Sequence, residues 1–189
     1  FDNLVTTSSA NVTVAIGTNP GTGTLSGTAT VAAVNGVATF STLSIDKVGV
    51  GYTLDASSSG LTGTTSSAFN ISAGAPAQLE FVQQPTNTTA GNTITPAVTV
   101  QVLDAFDNVV TGDNSTQITL AIGTNPGSGT LNGTVTRTVV NGVATFNDLS
   151  INQAGIGYTL TASAAGLTGD ISSALNISPA APVQLAFVQ

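Results

Sequence analysis

The residues best suited to chemistry in this sequence are oxygen ligands that lie close together near its middle. Asp104, Asp107, Asn108, Asp113 and Asn114 form its densest group of carboxylates and amides. Ca²⁺ prefers such oxygens, so the group is a candidate calcium site. The same residue types also make Asx-turns between strands. We favour the turn interpretation and predict neither a metal nor another cofactor.

A second segment of the chain weakens the calcium interpretation. The Phe-Asp-Asn of residues 106–108 recurs at the start of the chain, at residues 1–3. The earlier segment carries a pair of serines, at positions 8–9, where the later one has Asp113 and Asn114. A calcium site used in both segments would keep its ligands in both.

The acidic residues do not predict an enzyme. The nine of them are scattered along the chain, whereas glycosidase chemistry needs two carboxylates across a cleft with separated pKa values. The absence of His and Cys excludes a His-dependent triad, a thiolate metal site, a redox pair and disulfides. No nucleophile has a base beside it. We therefore expect no enzymatic activity.

Positive charge is almost absent. Lys47 and Arg137 are the only cations, and the formal net charge is −7 at pH 7. Nucleic acid and anionic membranes are poor partners for such a chain, because it has no basic patch to displace counterions from phosphates. The sequence contains no run of about 18 apolar residues, which a membrane-spanning helix would need. A surface of hydroxyls and amides instead suits close lateral packing, glycans or an extracellular matrix.

Glycosylation is one covalent modification that the sequence offers. Asn-x-Ser/Thr is frequent in a chain this rich in Asn, Ser and Thr, so chance explains most instances. Asn70 and Asn176 stand out because both lie in the phrase Asn-Ile-Ser, 106 residues apart. We treat these two as possible glycosylation sites.

A glycine-rich phrase occurs twice, as AIGTNPGTGTL at residues 15–25 and AIGTNPGSGTL at 121–131. A phosphate-binding loop is one interpretation, but the phrase lacks the Lys-Ser/Thr of a P-loop and no helical pattern follows it. Gly and Pro between two apolar segments are typical of turns. We therefore predict a turn in each copy.

The two phrases belong to a long repeat. Shifting the chain by 106 residues aligns residues 12–83 with 118–189 without a gap, and 48 of the 72 aligned positions are identical. This period exceeds the repeat length of a solenoid and is typical of an Ig-like domain. We predict three parts: residues 1–74 as a repeat that lacks its first two strands, 75–180 as a complete repeat, and 181–189 as the first strand of a following repeat.

Alternation of apolar and polar residues predicts about seven strands per complete repeat and no helices. An Asn141-Gly142 pair between two alternating segments predicts a type I′ hairpin turn. The predicted strands are residues 78–83, 97–103, 116–122, 133–140, 143–151, 157–163 and 173–178. The predicted equivalent core pairs are Phe40/Phe146, Leu43/Leu149, Ile45/Ile151, Tyr52/Tyr158 and Leu54/Leu160.

An ordered set of phrases resembles a known family. PAVTVQVLDAFDNVVTG, GTLNGT, NGVATFNDLSI, GIGYTLTASAAGL and SSALNIS resemble the bacterial Ig-like repeats of invasin/intimin-type adhesins and large repetitive surface proteins. The resemblance implies tandem two-sheet sandwiches that act as spacers in a secreted or cell-surface chain. One departure is Asp107, where such repeats more often carry Gly.

The phase of the repeat predicts that residues 1–74 are completed by strands from elsewhere. We favour the preceding part of a longer polypeptide, and the alternative is a neighbouring identical chain. The tail at 181–189 matches the first strand of a repeat only, so it supplies no counterpart of residues 97–103.

The functional prediction is a structural segment of an extracellular filament or giant adhesin, whose partners are neighbouring repeats or identical chains. The alternative is a module that binds carbohydrate or a host protein through its loops. Sugar-binding platforms need exposed aromatic rings, whereas Tyr52 and Tyr158 lie at predicted core positions. The expected location is extracellular or at the cell surface.

Overall fold

The computed structural model describes residues 3–185 and 187. Within these residues every regular element is a β-strand, which confirms the all-β prediction. The described chain accordingly contains no helix of the length and apolarity needed to cross a membrane. It forms two compact units, the N-terminal unit (Phe1–Ala73) and the C-terminal unit (Gly74–Gln189).

The strands of the N-terminal unit are short and antiparallel. They are β1 (Asn11–Ile16), β2 (Leu25–Ser26), β3 (Thr30–Ala32), β4 (Ser44–Ile45), β5 (Gly49–Tyr52), β6 (Leu54–Ser57), β7 (Thr64–Thr65) and β8 (Phe69–Ile71). They form one four-stranded sheet in the order β3-β1-β6-β7 and the pairs β2-β4 and β5-β8.

The C-terminal unit contains the equivalent strands and four more. Its strands are β9 (Gln78–Gln83), β10 (Thr88–Thr89), β11 (Val98–Leu103), β12 (Gln117–Ile122), β13 (Leu131–Asn132), β14 (Thr136–Thr138), β15 (Val143–Phe146), β16 (Ser150–Ile151), β17 (Gly155–Tyr158), β18 (Leu160–Ser163), β19 (Asp170–Ile171) and β20 (Leu175–Ser178). The sheets are β14-β12-β18-β19, β15-β11-β9, β10-β20-β17 and β13-β16. Among the described strands, the pairing of β10 with β20 is the only parallel one.

Several predicted strands are divided in the structure. The segment 157–163 is one alternating run in sequence, yet β17 pairs with β20 while β18 pairs with β12. The chain therefore changes sheets at Thr159, which splits the run. The predicted strand 143–151 is divided in the same way, because β15 pairs with β11 and β16 pairs with β13. The C-terminal unit thus has twelve short strands among its described residues instead of about seven.

The inward-facing residues of the C-terminal unit agree with the alternation. Leu149, Ile151 and Leu160 are fully buried. Phe146 and Tyr158 are likewise 0% exposed, so the register predicted for this core is confirmed. The predicted hairpin turn is also present: Asn141 and Gly142 have φ of 50° and 78°, and Val140 pairs with Val143 on either side.

The N-terminal unit keeps the same register but a less buried core. Val14 faces Ala56 in it, as Leu120 faces Ala162 in the C-terminal unit. Tyr52 is fully buried, whereas the other four predicted core residues of this unit are only half-buried; these are Phe40, Leu43, Ile45 and Leu54. Of the five predicted core positions, only Tyr52 is therefore as deeply buried as its counterpart in the C-terminal unit.

Candidate functional site

Asp104 anchors the loop that follows β11. Its side chain is buried, and Oδ1 accepts hydrogen bonds from the backbone N–H groups of Phe106 at 2.8 Å and Asn108 at 3.0 Å. Oδ2 accepts one from the backbone N–H of Gly74 at 2.8 Å. The Asn108 amide donates to both oxygens. The carboxylate is thus surrounded by donors of the protein itself.

These donors determine the charge of Asp104. Burial raises the pKa of its carboxyl group, because it disfavours the charged form. The hydrogen bonds from Asn108, Gly74 and Phe106 outweigh burial and lower the pKa to about 2. The group is therefore a carboxylate at neutral pH, stabilised by N–H dipoles.

The other candidate calcium ligands also serve turns. Asp107 has a φ of 59°, the left-handed region that glycine favours and Asp tolerates. The Oδ1 of Asp113 accepts hydrogen bonds from the backbone N–H groups of Ser115 and Thr116 at 2.9 and 3.1 Å. The Oδ1 of Asn114 accepts one from the backbone N–H of the hairpin residue 141 at 2.9 Å. Within residues 3–185 and 187 no three acidic, His or Cys side chains form a group that could hold a metal ion.

A shallow cleft of about 560 Å³ in the C-terminal unit is bordered by three carboxylates, those of Glu80, Asp107 and Asp170. Glu80 and Asp107 accept hydrogen bonds from glutamine side chains. Asp170 accepts one from the backbone N–H of Phe81 at 2.8 Å. Glu80 and Asp170 therefore tie β9 to β11 and to β19, and Asp107 ties the loop after β11 to β9.

The glycine-rich loops cover the two tyrosines. In the C-terminal unit, the Asn125 side chain donates to the carbonyl of Gly129 at 2.9 Å and accepts from its N–H at 2.7 Å. The Tyr158 hydroxyl donates to the carbonyl of Gln153 at 3.1 Å. A Cβ on Gly127 would overlap this hydroxyl and the carbonyl of Ala154. The glycines are thus required for close approach to the tyrosine as well as for the predicted turn.

Both tyrosines are unsuitable as sugar platforms. Tyr52 and Tyr158 are 0% exposed, and the Tyr52 hydroxyl donates to the carbonyl of Lys47 at 2.9 Å. A ring that stacks on a sugar must present one face to solvent. Neither ring does so in the folded units.

The two candidate glycosylation sites occupy equivalent strand positions. Asn70 lies in β8 and Asn176 in β20, and both are exposed. Their Oδ1 atoms accept hydrogen bonds from the backbone N–H groups of Gly51 and Gly157, each at 3.0 Å. The side-chain amides therefore support a bulge between neighbouring strands.

The N-terminal unit contains an open, mainly apolar groove of about 540 Å³. Its lining comprises Val14, Leu43, Leu54 and Ala56 together with residues 38–40 and 64–66. We call this feature the open groove. Its presence explains why Phe40 and Leu54 are only half-buried.

In the C-terminal unit the equivalent space is filled by β9 and β11. Val98 and Val100 of β11 pair with Phe146 and Ala144 of β15, and all four are 0% exposed. β9 pairs with the other edge of β11. Among the described residues, the N-terminal counterpart of β15, residues 37–40, has no such strand partner and forms an isolated bridge at Val37.

Sequence reasoning found the missing strands but not the groove itself. The repeat alignment showed that residues 1–74 lack counterparts of β9 and β11. It did not show whether the remaining strands close over the gap. The available signal was that equivalent positions such as Ala38 and Ala144 carry the same apolar residue in both units. Polar residues would be expected at these positions in the N-terminal unit if its surface there faced water permanently.

Comparisons with known proteins find no matching family model and no matching curated protein. The chain is similar to a solved β-glucuronidase of Parabacteroides merdae, with 13% identity over 86% of this chain and 21% of that one, at a TM-score of 0.38. A second structure of that enzyme, with glycerol in its active site, gives 14% identity, 86% and 20% coverage and the same TM-score. The chain thus spans about a fifth of the enzyme's length.

Proposed function

We propose that the chain is a structural segment of a long extracellular filament or giant cell-surface adhesin. Its units are tandem Ig-like β-sandwiches that act as a spacer, a stalk or a fibre-forming element. The observation that carries this proposal is the repetition of one set of strand pairings after 106 residues. Ile16 pairs with Leu54 in the N-terminal unit and Ile122 pairs with Leu160 in the C-terminal unit. Repeated units of one register suit a function that depends on length.

The use of the polar side chains supports the same proposal. Asp104 and Asp113 hold turns, and Asp170 ties β19 to β9. Asn70 and Asn176 support strand bulges. These side chains thus contribute to the fold, and Tyr52 and Tyr158 are too buried to stack on a sugar. No observation favours the alternative of a carbohydrate-binding module.

Single-molecule pulling tests the structural role. A spacer must resist tension as a folded unit, so we expect the C-terminal unit to unfold in one cooperative step. For 106 residues the contour length gained is roughly 35–38 nm at 3.3–3.6 Å per residue. Calcium chelation should leave the step unchanged. Gradual extension at low force would contradict the proposal.

Two neighbouring residues of β15 provide matched variants for this measurement. Ala144 is 0% exposed on the inner face, whereas Thr145 is exposed on the outer face. Ala144→Asp places an unpaired charge in the core and should abolish the step. Thr145→Asp adds the same charge in solvent and should preserve it.

A further inference from the structure

We propose that Asn35 is a site of spontaneous deamidation in the folded protein, and that Asn141, which lies in the same local sequence, is protected. The modification converts the side-chain amide into a carboxylate and needs only water. This inference goes beyond the structural role proposed above and does not depend on it. It depends on two hairpin turns that share sequence and backbone shape but differ in the loop that holds them.

The reaction uses the backbone nitrogen that follows the asparagine. Asparagine is thermolabile, and a following glycine leaves this nitrogen unshielded by a side chain. After losing its proton to water, the nitrogen attacks the side-chain Cγ. A new C–N bond forms, the Cγ–Nδ2 bond breaks, and ammonia leaves after taking up a proton from water. Water then opens the succinimide ring at either carbonyl, which yields aspartate or isoaspartate and one additional negative charge.

The two Asn-Gly turns are a matched pair. Residues 34–40 and 140–146 both read VNGVATF. The asparagines have φ of 52° and 50° and the glycines 80° and 78°. In each turn the flanking valines exchange backbone hydrogen bonds of 2.9 and 3.1 Å, and both asparagines are exposed. A difference in rate between the two sites must therefore come from contacts outside these two segments.

The attacking nitrogen is held more tightly in the C-terminal unit. The backbone N–H of Gly142 donates to the carbonyl of Asp113 at 2.8 Å, whereas that of Gly36 donates to the carbonyl of Ser8 at 3.3 Å. Gly142 is also buried, and Gly36 is only half-buried. Because 3.3 Å lies beyond the usual range of an N–H···O bond, a smaller local opening frees the Gly36 nitrogen.

The residues of the preceding loop explain this difference. The carboxylate of Asp113 fixes its loop through two backbone N–H groups, at 2.9 and 3.1 Å. The Oδ1 of Asn114 accepts a hydrogen bond from the N–H of Asn141 at 2.9 Å. Their counterparts are Ser8 and Ser9. The Ser8 hydroxyl accepts one N–H at 3.4 Å, and among the described residues Ser9 makes no bond to the hairpin. The N-terminal turn is thus less restrained.

Conversion changes the turn as well as its charge. Isoaspartate continues the chain through its side-chain carbonyl, so it adds one carbon to the backbone of the turn. A two-residue type I′ turn fixes the backbone of both central residues and does not accommodate the addition. The pairing of Val34 with Val37 should therefore weaken in the modified chain. Faster hydrogen exchange at the N–H of Val37 would report this change.

Timed incubation of the 189-residue chain at mildly alkaline pH, followed by peptide mapping, tests the proposal. Mass spectrometry distinguishes the two sites by their flanking residues and separates the Asn, Asp and isoaspartyl peptides. We expect Asn35 to convert at least about fivefold faster than Asn141, the ratio that two modest hydrogen bonds supply. In denaturant the two rates should coincide. Equal rates in the folded chain, faster conversion of Asn141, or a ratio that persists in denaturant would each overturn the proposal.

Removing the loop contacts of the C-terminal unit tests their protective role in a turn that β11 also supports. Asp113→Ser combined with Asn114→Ser should raise the conversion rate of Asn141 at least about threefold, while β15 keeps its pairing with β11. Thr145→Ser, at an exposed position of β15, is the control and should leave the rate unchanged. An unchanged rate in the double variant would refute the protective role of the loop.

The converse exchange keeps the test decisive if that double variant loses stability. Ser8→Asp combined with Ser9→Asn should supply the missing acceptors and slow the conversion of Asn35 at least about threefold. Hydrogen exchange at the N–H of Gly36 should slow in parallel, because the same opening exposes this group. Conversion that stays fast in this variant, or that slows without a change in exchange, would show that the loop does not control the reaction.

Discussion

Truncating one leucine in each unit measures how much β9 and β11 contribute to a core. Leu160 and Leu54 occupy equivalent positions, opposite Ile122 and Ile16. Their backbone N–H groups donate to equivalent serine hydroxyls at the same distance of 2.9 Å. They differ in what covers them: Leu160 is 0% exposed, whereas Leu54 is half-buried and lines the open groove. The pair therefore isolates the effect of the covering strands.

The expected costs follow from this difference in burial. Leu160→Ala removes three buried carbons and leaves a cavity, so it should lower the free energy of unfolding of the C-terminal unit by about 3–4 kcal/mol. Leu54 already contacts water, and Leu54→Ala should cost its unit only about 1.5–2 kcal/mol. The difference of about 1–2.5 kcal/mol is roughly a 5- to 70-fold change in the ratio of folded to unfolded molecules.

Tyrosine fluorescence during urea unfolding separates the two transitions. The chain has two tyrosines and no tryptophan, with Tyr52 in one unit and Tyr158 in the other. Replacing Tyr52 by Phe leaves a signal from the C-terminal unit alone, and replacing Tyr158 reports on the N-terminal unit. An equal or larger cost for Leu54→Ala would refute the conclusion that the N-terminal core is open.

Three further outcomes are expected for the C-terminal unit. Gly127→Ala should lower its melting temperature by several degrees in calorimetry, because the Cβ would overlap the Tyr158 hydroxyl. Gly112→Ala, where a Cβ meets nothing within 4 Å, should be neutral or slightly stabilising. EDTA should leave the melting temperature unchanged, and a loss of several degrees would point to calcium in the Asp104 loop. The pKa of Asp104, about 2 against an ordinary 3.8, predicts that its stabilisation is complete above about pH 4 and lost as the pH falls toward 2. Asp104→Asn should flatten that acid-dependent loss in a series of thermal melts.

Local patterns were sufficient where the determinant lies within a few residues. The hairpin at Asn141-Gly142 followed from the positive φ that a type I′ turn demands. The inward positions of Val98, Val100 and Val102 followed from alternation alone. The turn role of Asp104 is likewise local, since most of its donors lie within four residues. Its bond from Gly74, 30 residues away, was not visible from the sequence.

The sequence by itself determined the all-β class, the 106-residue repeat and the residues that face a core, because alternation and identity are properties of the chain. Only the tertiary structure decided how buried those residues are. Phe40 and Phe146 stand in identical local sequence, VATF, yet one is half-buried and the other is 0% exposed. The physical reason is that burial requires atoms from another segment: β11 lies 43 or more residues before Phe146 in the chain and covers it, and no described strand does the same for Phe40.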